Sequence, residues 1–490
     1  MTSFAQRCGI DDVPRAAACE QVLQAIAEQR IERVRIGWCD LHGVLRGKTL
    51  MASAVADALR GGIGLVSTVM LKDTSDRTVY KVFDPGLADE LPGFGAANNL
   101  LLLPDPASFR VLPWASRTGW MQAQPWFDNA APVALDTRRA LQRALGLLAE
   151  RGLGLRCGLE VEFHIYRIDD ARLDPHLAAW PGEPPVVSMI HPGYNLLAEN
   201  WADLADEPLQ IVQRTAQGLG LPLHSLEIEL GPSQVEAVFD ATDALTAADQ
   251  MVLFRNGVRQ ALRRAGYHAS FVCRPPFPNV MASGWHLHQS LVLCEGGANA
   301  MRRDAPAPGA RPGDAAFTLS ALGEHFLAGL LAHGRGMAVL CTPTINGFGR
   351  FRPHALAPQS VLWGHDNRGA MLRVLGRCGD AATRIENRIG EPSANPYLYI
   401  AAQIHAGLDG IARGLQAPPA TEAPYAAAAT PLPTSLPEAL DALAGDAALT
   451  EGFGTPLIDC FIRVKRAEAA RFEQAADKDD WQRREYFSRL

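Results

Sequence analysis

The chain has 490 residues, nine cysteines and a formal net charge of −7, and 48% of its residues are hydrophobic against 20% charged. This is ordinary globular composition, long enough for two domains, and it excludes extensive disorder. The net negative charge gives no reason to expect a nucleic acid or an anionic membrane as partner. Scattered single cysteines and an N-terminus without a long apolar segment predict a cytoplasmic protein with reduced thiols.

The first part of the chain predicts a small unit made mostly of β structure. Within an N-terminal extension, residues 1–30, a helix is predicted from Cys19 to Gln29. The alternating stretches 33–40 and 44–50 predict a pair of strands. Residues 61–113 are rich in Gly and Asp, which is typical of short strands joined by turns.

Beyond this unit the pattern changes to long helices that alternate with short strands. Asp136 is predicted to cap a helix that runs to Arg151. Thr246 and Asp249 resemble a capping box in front of a second amphipathic helix, which ends at Gly266.

Two carboxylates on alternate residues, Glu160 and Glu162, lie in the apolar stretch 158–163. Alternate residues of a strand face the same side, so both acids point one way while their apolar neighbours point the other. Like charges this close repel each other, and a solvated edge or a shared cation must compensate. The pair could be the wet face of an antiparallel sheet, but the apolar neighbours favour a ligand pair near the core.

Further acids and histidines repeat the arrangement. Glu229 and Glu236 bracket a Gly-Pro turn, and Glu227 shares the face of Glu229 as a surface or supporting acid. The remaining candidates are His286, His288 and Glu386. A single histidine on an apolar strand is more often a hydrogen-bonded core residue, but two on one face beside Gly284 favour function. Carboxylate-rich sets with an imidazole suit Mg²⁺ or Mn²⁺ better than zinc.

Several arginines lie within forty residues of a chain with net negative charge; the candidates among them are Arg350, Arg352, Arg368, Arg373, Arg384 and Arg388. Guanidinium groups bind carboxylate and phosphate through paired hydrogen bonds. Any one of these arginines could simply form a salt bridge on an exposed helix. This alternative explains poorly why Arg350 lies in a turn-rich loop. The sequence has no Walker loop, GxSxG elbow or Rossmann glycine triplet. We therefore predict a metal-dependent enzyme that holds phosphate with metals and arginines.

Taken in order, these motifs resemble those of the glutamine synthetase superfamily. The matching segments are 158–163, Glu229 with Glu236, 283–290, Asn346 with Arg350, 357–358, 367–373, 384–388 and 395–398. The resemblance implies an α+β fold, with a small β-grasp-like domain at residues 31–128 and a large α/β catalytic domain at residues 129–490. It also implies a homo-oligomer, commonly a dodecamer of two stacked hexamers, with active sites between neighbouring subunits.

The resemblance further implies two sites for Mg²⁺ or Mn²⁺. One cation, next to L-glutamate, would be held by Glu162, Glu229 and Glu236. The other, which bridges the phosphates of ATP, would be held by Glu160, His286 and Glu386.

The same resemblance assigns residues to the substrates. His288 and Ser290 would lie near the nucleotide, and its phosphates would be surrounded by Arg368, Arg373 and Arg384. Arg350 would bind the α-carboxylate of glutamate, and Arg388 would meet the γ-carboxylate as it is phosphorylated. Catalytic roles are implied for Arg368, Arg388 and Glu386.

The chain departs from ammonia-using synthetases at the acceptor site. Leu356 stands where those enzymes carry a carboxylate that binds ammonium, and the loosely aligned segment 65–69 also lacks an acid. An apolar pocket attracts a small cation poorly and accommodates a carbon-bearing amine. The segment 40–48 resembles the branch that makes γ-glutamyl amides of polyamines and other amines. Tyr194 either lines the acceptor site or packs a loop.

We therefore predict ATP-dependent ligation of glutamate to a primary amine other than ammonia. The amine could be an alkylamine, an arylamine such as aniline, or a polyamine, and the apolar residues Leu356, Val66 and Val69 suit the first two better. The alternatives are an ordinary glutamine synthetase that uses ammonia and a non-catalytic family member with a structural or regulatory role.

Overall fold

The computed structural model describes residues 2–352 and 356–490. Two β-sheets organise the described residues, one of six strands and one of nine. Each sheet is antiparallel apart from one parallel pair of neighbours. The predicted mixture of helices and sheets is confirmed.

The six-stranded sheet lies in the N-terminal part of the chain. Its strands are β1 (Arg33–Cys39), β2 (Leu45–Met51), β3 (Ile63–Val66), β4 (Asn99–Pro104), β5 (Arg110–Val111) and β6 (Thr118–Trp126). The order is β2-β1-β6-β4-β3, and β5 pairs with β6. The predicted strand pair 33–40 and 44–50 is confirmed as β1 and β2, with Gly37 opposite Gly47.

The nine-stranded sheet carries the candidate site. Its strands are β7 (Leu153–Asp170), β8 (Val186–Met189), β9 (Leu223–Ile228), β10 (Gln234–Asp243), β11 (Tyr267–Ser270), β12 (Trp285–Leu293), β13 (Trp363–His365), β14 (Leu372–Leu375) and β15 (Arg384–Asn387). The order is β13-β14-β15-β12-β7-β10-β9, and β8 and β11 pair with the C-terminal part of β7. The long strand β7 therefore connects all parts of the sheet.

Helices cover the buried faces of the two sheets and build the C-terminal part of the chain. They are α1 (Phe4–Arg7), α2 (Val13–Glu28), α3 (Val55–Gly61), α4 (Leu87–Glu90), α5 (Thr137–Ala149), α6 (Glu199–Leu204), α7 (Asp206–Gly218), α8 (Ala244–Arg264), α9 (Ala315–Thr318), α10 (Ala321–Ala332), α11 (Gly334–Cys341), α12 (Pro396–Arg413), α13 (Leu436–Ala444), α14 (Ala447–Phe453), α15 (Thr455–Glu473) and α16 (Lys478–Gln482). Among the described residues, none of these helices combines the length and apolarity that a membrane span requires.

Helices α2 and α5 each begin directly after an aspartate that caps the helix. The side chain of Asp136 accepts a hydrogen bond from the backbone N–H of Arg138 at 3.2 Å, which confirms it as the cap of α5. Helix α2 begins at Val13 and is capped by Asp12, so the predicted start at Cys19 was too late. The polar and alanine-rich first turns of α2 show weak hydrophobic periodicity, and only its second half carries the buried Val22 and Ile26.

The predicted capping box at Thr246 and Asp249 is wrong. The cap of α8 is Asp243, whose carboxylate accepts a hydrogen bond from the N–H of Thr246 at 3.0 Å. Asp249 lies inside the helix, where its carboxylate is 2.7 Å from an Nη2 of Arg138 on α5 and 2.7 Å from the hydroxyl of Tyr397 on α12. The residue thus ties three helices together.

The core lies between the nine-stranded sheet and the helices on one of its faces. Leu159, Val161 and Phe163 of β7 are buried there. Phe163 stacks on Phe271 with ring centroids 4.8 Å apart and meets Phe254 of α8 edge to face. Because side chains alternate along a strand, the intervening residues of β7 point to the opposite face, which is open to a cavity.

Candidate active site

Strand register brings the candidate ligands together on the open face of the nine-stranded sheet. Glu160 of β7 lies opposite His286 of β12, and Glu162 lies opposite Glu236 of β10. On the other side of β12, His288 lies opposite Glu386 of β15. Residues far apart in sequence are neighbours here because adjacent strands carry them at matching positions.

Three carboxylates gather at one end of this face. Ligand oxygens of Glu162, Glu229 and Glu236 all lie within 4.8 Å of one another. Burial and the negative charge of Glu229 raise the pKa of Glu162, and burial and the charge of Glu162 raise the pKa of Glu236. Such crowding requires a compensating cation or bound protons, and three oxygen ligands fit a hard divalent cation.

Gly284 allows the side chains at this end of the site to pack closely. The backbone N–H of Gly284 donates a hydrogen bond to Glu162 at 2.8 Å. A Cβ atom at this position would lie 2.4 Å from an Nη2 of Arg350 and 2.9 Å from Nε2 of His286. Only glycine therefore lets the strand, the arginine and the imidazole meet.

A second group of ligands lies beside the first. Ligand atoms of Glu160, His288 and Glu386 lie within 4.8 Å of one another, and so do those of Glu160, Glu236 and His286. His286 Nδ1 is 3.5 Å from Glu160 and 3.9 Å from Glu386. The geometry thus brings His288 as well as His286 to the second predicted cation site.

The second group differs electrostatically from the first. Burial alone would raise the pKa of Glu160, but hydrogen bonds from His286 and His288 hold it below its ordinary value. Burial and the positive charge of Arg388 lower the pKa of His286 to about 4, so the imidazole is neutral at physiological pH, the form that binds a cation. Both groups of ligands therefore fit Mg²⁺ or Mn²⁺.

The predicted arginines surround these acids. Glu386 is buried between Arg388, whose guanidinium donates to it, and Arg373, which lies 2.9 Å away. The guanidinium of Arg350 donates to the carbonyl of Arg388 at 2.9 Å and lies 3.4 Å from His286 Nε2. Arg368 is exposed and borders the same cavity. Arg352 lies apart, at a separate cavity near the C-terminus.

Two cavities meet at Glu160. The first, of about 580 Å³, contains the three-carboxylate group and Arg350, Arg368, Arg373 and Arg388. The second, of about 570 Å³, is lined by His288, Ser290 and Arg384, and Arg384 donates to His288 at 3.0 Å. Glu160, His224 and Val238 border both. Three of the predicted nucleotide residues, His288, Ser290 and Arg384, thus line the second cavity, whereas Arg368 and Arg373 line the first together with Arg350.

The first cavity has an apolar end that the sequence only partly revealed. Leu356 lines it, and its carbonyl accepts a hydrogen bond from an Nη2 of Arg388 at 3.3 Å. Leu196, Leu197 and Met281 also line it, and the two leucines were missed. Nothing in their local sequence distinguishes them from ordinary core residues, since only the fold leaves them facing a cavity.

Other predicted acceptor residues lie outside this lining. Tyr194 is exposed, and its hydroxyl donates to the carbonyl of Asn279, a contact that suits the loop-packing alternative. Val66 ends β3 and Val69 follows it, both in the N-terminal part of the chain, and neither lines the cavity.

Comparison with known proteins gives concordant matches. The family model of the glutamine synthetase catalytic domain matches residues 134–486. A gamma-glutamylanilide synthase from an Acinetobacter species is 38% identical, with 96% of each chain covered. A gamma-glutamylethanolamide synthetase from Streptomyces coelicolor is 29% identical, again over 96% of each chain. A solved structure of a GmaS–ADP complex superimposes with a TM-score of 0.74 at 27% identity, covering 94% of this chain and 98% of that one.

Proposed function

The chain belongs to the glutamine synthetase family of ATP-dependent ligases, and we propose that it joins the γ-carboxylate of L-glutamate to a primary amine other than ammonia. The products are a γ-glutamylamide, ADP and phosphate. Relatives whose names specify an anilide and an ethanolamide support this choice over glutamine formation.

We assign the cation sites to the two groups of ligands. Glu162, Glu229 and Glu236 would hold the ion beside glutamate, and Glu160, His286 and Glu386 the ion at the ATP phosphates, with His288 in reach of the second. When bound, Mg²⁺ or Mn²⁺ would neutralise phosphate charge and fix its orientation. The crowded acids support this assignment, because a divalent cation would offset the mutual repulsion of their ionised forms.

The arginines would hold the substrates. Arg350 would bind the α-carboxylate of glutamate, while Arg368, Arg373 and Arg384 would surround the phosphates of ATP. Arg388 would hold the γ-carboxylate in line with the terminal phosphate, where its ion pair with Glu386 fixes the guanidinium. Ser290 and His288 lie in the adjoining cavity, which supports a place near the nucleotide.

The reaction then has two steps. A γ-carboxylate oxygen attacks the terminal phosphorus of ATP, the P–O bond to ADP breaks, and γ-glutamyl phosphate forms. The lone pair of the uncharged amine attacks the carbonyl carbon, the C–O bond to phosphate breaks, and the amine nitrogen loses a proton. Arg388 would stabilise negative charge on the oxygens in both steps.

The observation that carries the proposal is the position of Leu356. Its carbonyl lies 3.3 Å from Arg388, the residue assigned to the reacting carboxylate, and its side chain points an apolar surface into the cavity. A carboxylate here would attract ammonium. A leucine has no charge to bind a small cation, but it provides an apolar surface that a carbon-bearing amine can contact.

Amine-dependent phosphate release tests the proposal. We expect glutamate, ATP and Mg²⁺ to release phosphate faster with aniline, ethanolamine or isopropylamine than with ammonium. Glu386→Ala should reduce release by at least about a hundredfold, because it removes a candidate metal ligand and the carboxylate that pairs with Arg388. Faster turnover with ammonium would favour an ordinary glutamine synthetase, and no turnover with any amine would favour a non-catalytic protein.

We also propose the finer features of organisation. The domains would be a helical extension at residues 1–30, a β-grasp-like domain at 31–128 and the catalytic domain at 129–490. A dodecamer of two hexameric rings would bring Val66 and Val69 of a neighbouring subunit towards the cavity. A cytoplasmic location is supported by the nine free cysteines, since reduced thiols are typical of that compartment.

A further inference from the structure

We propose that Leu196, Leu197 and Met281 join Leu356 in an apolar wall that selects an aromatic amine, uncharged at neutral pH, as the acceptor. The inference rests on the proposed function and goes further by naming the class of amine and the residues that select it. These four residues are called the acceptor wall below.

The apolar side chains of the acceptor wall are exposed, which indicates that a bound substrate covers them. Leu196 is 51% exposed, Leu197 61% and Leu356 60%, although all three line the cavity that holds the reacting groups. Large apolar side chains clustered in the open are unfavourable in water and mark binding sites more often than chance positions. An apolar substrate body would cover them.

The backbone holds the wall rigidly in place. The N–H of Leu197 donates to the carbonyl of Ile228 at 3.1 Å, and the N–H of Tyr194 donates to Leu230 at 2.6 Å. Both residues adopt left-handed conformations, with φ of 58° and 54°. The hydroxyl of Tyr194 also donates to Asn279, two residues before Met281. The segment that carries the leucines is thus anchored to β9, to the following loop and to the segment that precedes Met281 before any substrate binds, as selection requires.

The guanidinium of Arg388 lies at the start of the wall. Its Nη2 donates a hydrogen bond to the carbonyl of Leu356 at 3.3 Å, and its Nε donates to the backbone carbonyl of Arg368 at 3.0 Å. An alkylammonium ion would meet this positive charge and would also have to lose a proton before reacting. An arylamine avoids both costs, because its nitrogen lone pair is delocalised into the ring and the amine is uncharged at neutral pH.

Glu227 supports the competing possibility that the acceptor is a cationic amine. Glu227 lines the cavity without belonging to the three groups of candidate ligands, and its carboxylate accepts a hydrogen bond from Ser225 at 2.8 Å. If the acceptor were an alkylammonium ion or a polyamine, Glu227 would be the residue to attract it. Glu227→Gln therefore distinguishes the two classes of amine.

The test compares kcat/KM for aniline and isopropylamine at saturating ATP and glutamate. We expect the wild type to prefer aniline, and Leu196→Ser and Leu197→Ser each to reduce the aniline-to-isopropylamine ratio roughly tenfold, the usual effect of lost apolar contact on selectivity. The KM values for ATP and glutamate should stay unchanged. Leu173→Ser is the matched control, because Leu173 is 78% exposed and does not line the cavity.

The outcomes separate this inference from the function on which it rests. An unchanged ratio in both leucine variants, with amide still formed, would overturn the acceptor wall alone. A preference for isopropylamine that Glu227→Gln abolishes would overturn the aromatic class. Exclusive use of ammonia by the wild type would overturn the proposed function and the inference together.

Discussion

The acids of this site differ in how well the surrounding residues stabilise their negative charge. Glu236 is buried opposite Glu162, and both have raised pKa values because burial and neighbouring carboxylates disfavour their ionised forms. Glu386, in contrast, has a lowered pKa, because two arginines outweigh the effect of its burial. Acids on different strands of one sheet thus have opposite environments, which suits Glu162 and Glu236 to metal binding and Glu386 to holding arginines as well.

Glu236→Gln should increase the folding stability of the metal-free protein and decrease its activity. A carboxyl group whose pKa is raised on folding costs no stability below its ordinary pKa, and the cost grows as the pH rises above that value. In a chelator at neutral pH, we expect the variant to be more stable than the wild type by about 1–3 kcal/mol. Urea denaturation at about pH 5 and pH 8 should show the gain increasing with pH.

The same variant should lose at least about a hundredfold in phosphate release with Mg²⁺ present, because a candidate ligand is gone. Glu199→Gln, which changes an exposed acid outside the cavity, is the control for a general charge effect. A variant less stable than the wild type in chelator would contradict the repulsion that we infer among these carboxylates.

At the scale of elements, the sequence predicted the strands of the site better than the helices around it. Alternation identified β1 and the acidic face of β7, because one face of each of these strands is apolar, and it also identified β2. The start of α2 and the cap of α8 were mistaken, since a Thr followed by an acid resembles a capping box wherever it occurs. Leu196 and Leu197 could not be predicted, because their exposure depends on a turn anchored to β9 and the following loop.

A buried histidine joins three helices away from the site. His333, between α10 and α11, lies 2.9 Å from Asp409 on α12 and 2.8 Å from Asp446, the cap of α14. Although burial alone would lower the pKa of His333, these two carboxylates raise it above its ordinary value. The contact therefore stabilises the fold fully below the ordinary histidine pKa, and the effect is lost as the pH rises through the folded-state pKa.

His333→Gln should therefore be most harmful in mild acid. We expect a loss of roughly 1–2 kcal/mol at about pH 6 and a clearly smaller loss at about pH 9. Thermal unfolding at both pH values measures it, with His176→Gln on an exposed turn as control. An equal loss at both values would show that the histidine acts through packing rather than through its charge.

At the scale of the whole molecule, one long strand organises the site. Strand β7 carries Glu160 and Glu162 on one face and core residues on the other, and β12 and β10 on either side supply His286 and Glu236. The order of motifs along the sequence was enough to identify the family, because each motif marks one strand or loop of this sheet. The proposed ring assembly and the domain boundaries stay predictions that a single chain does not test.

The most direct test of the proposal follows an oxygen atom. Glutamate labelled with ¹⁸O in its γ-carboxylate is incubated with ATP, Mg²⁺ and aniline, and the released phosphate is analysed by mass spectrometry. If a γ-glutamyl phosphate forms in this cavity, each γ-glutamylanilide made from fully labelled glutamate must be accompanied by one phosphate that carries ¹⁸O. Amide formation with unlabelled phosphate would contradict an acyl phosphate intermediate.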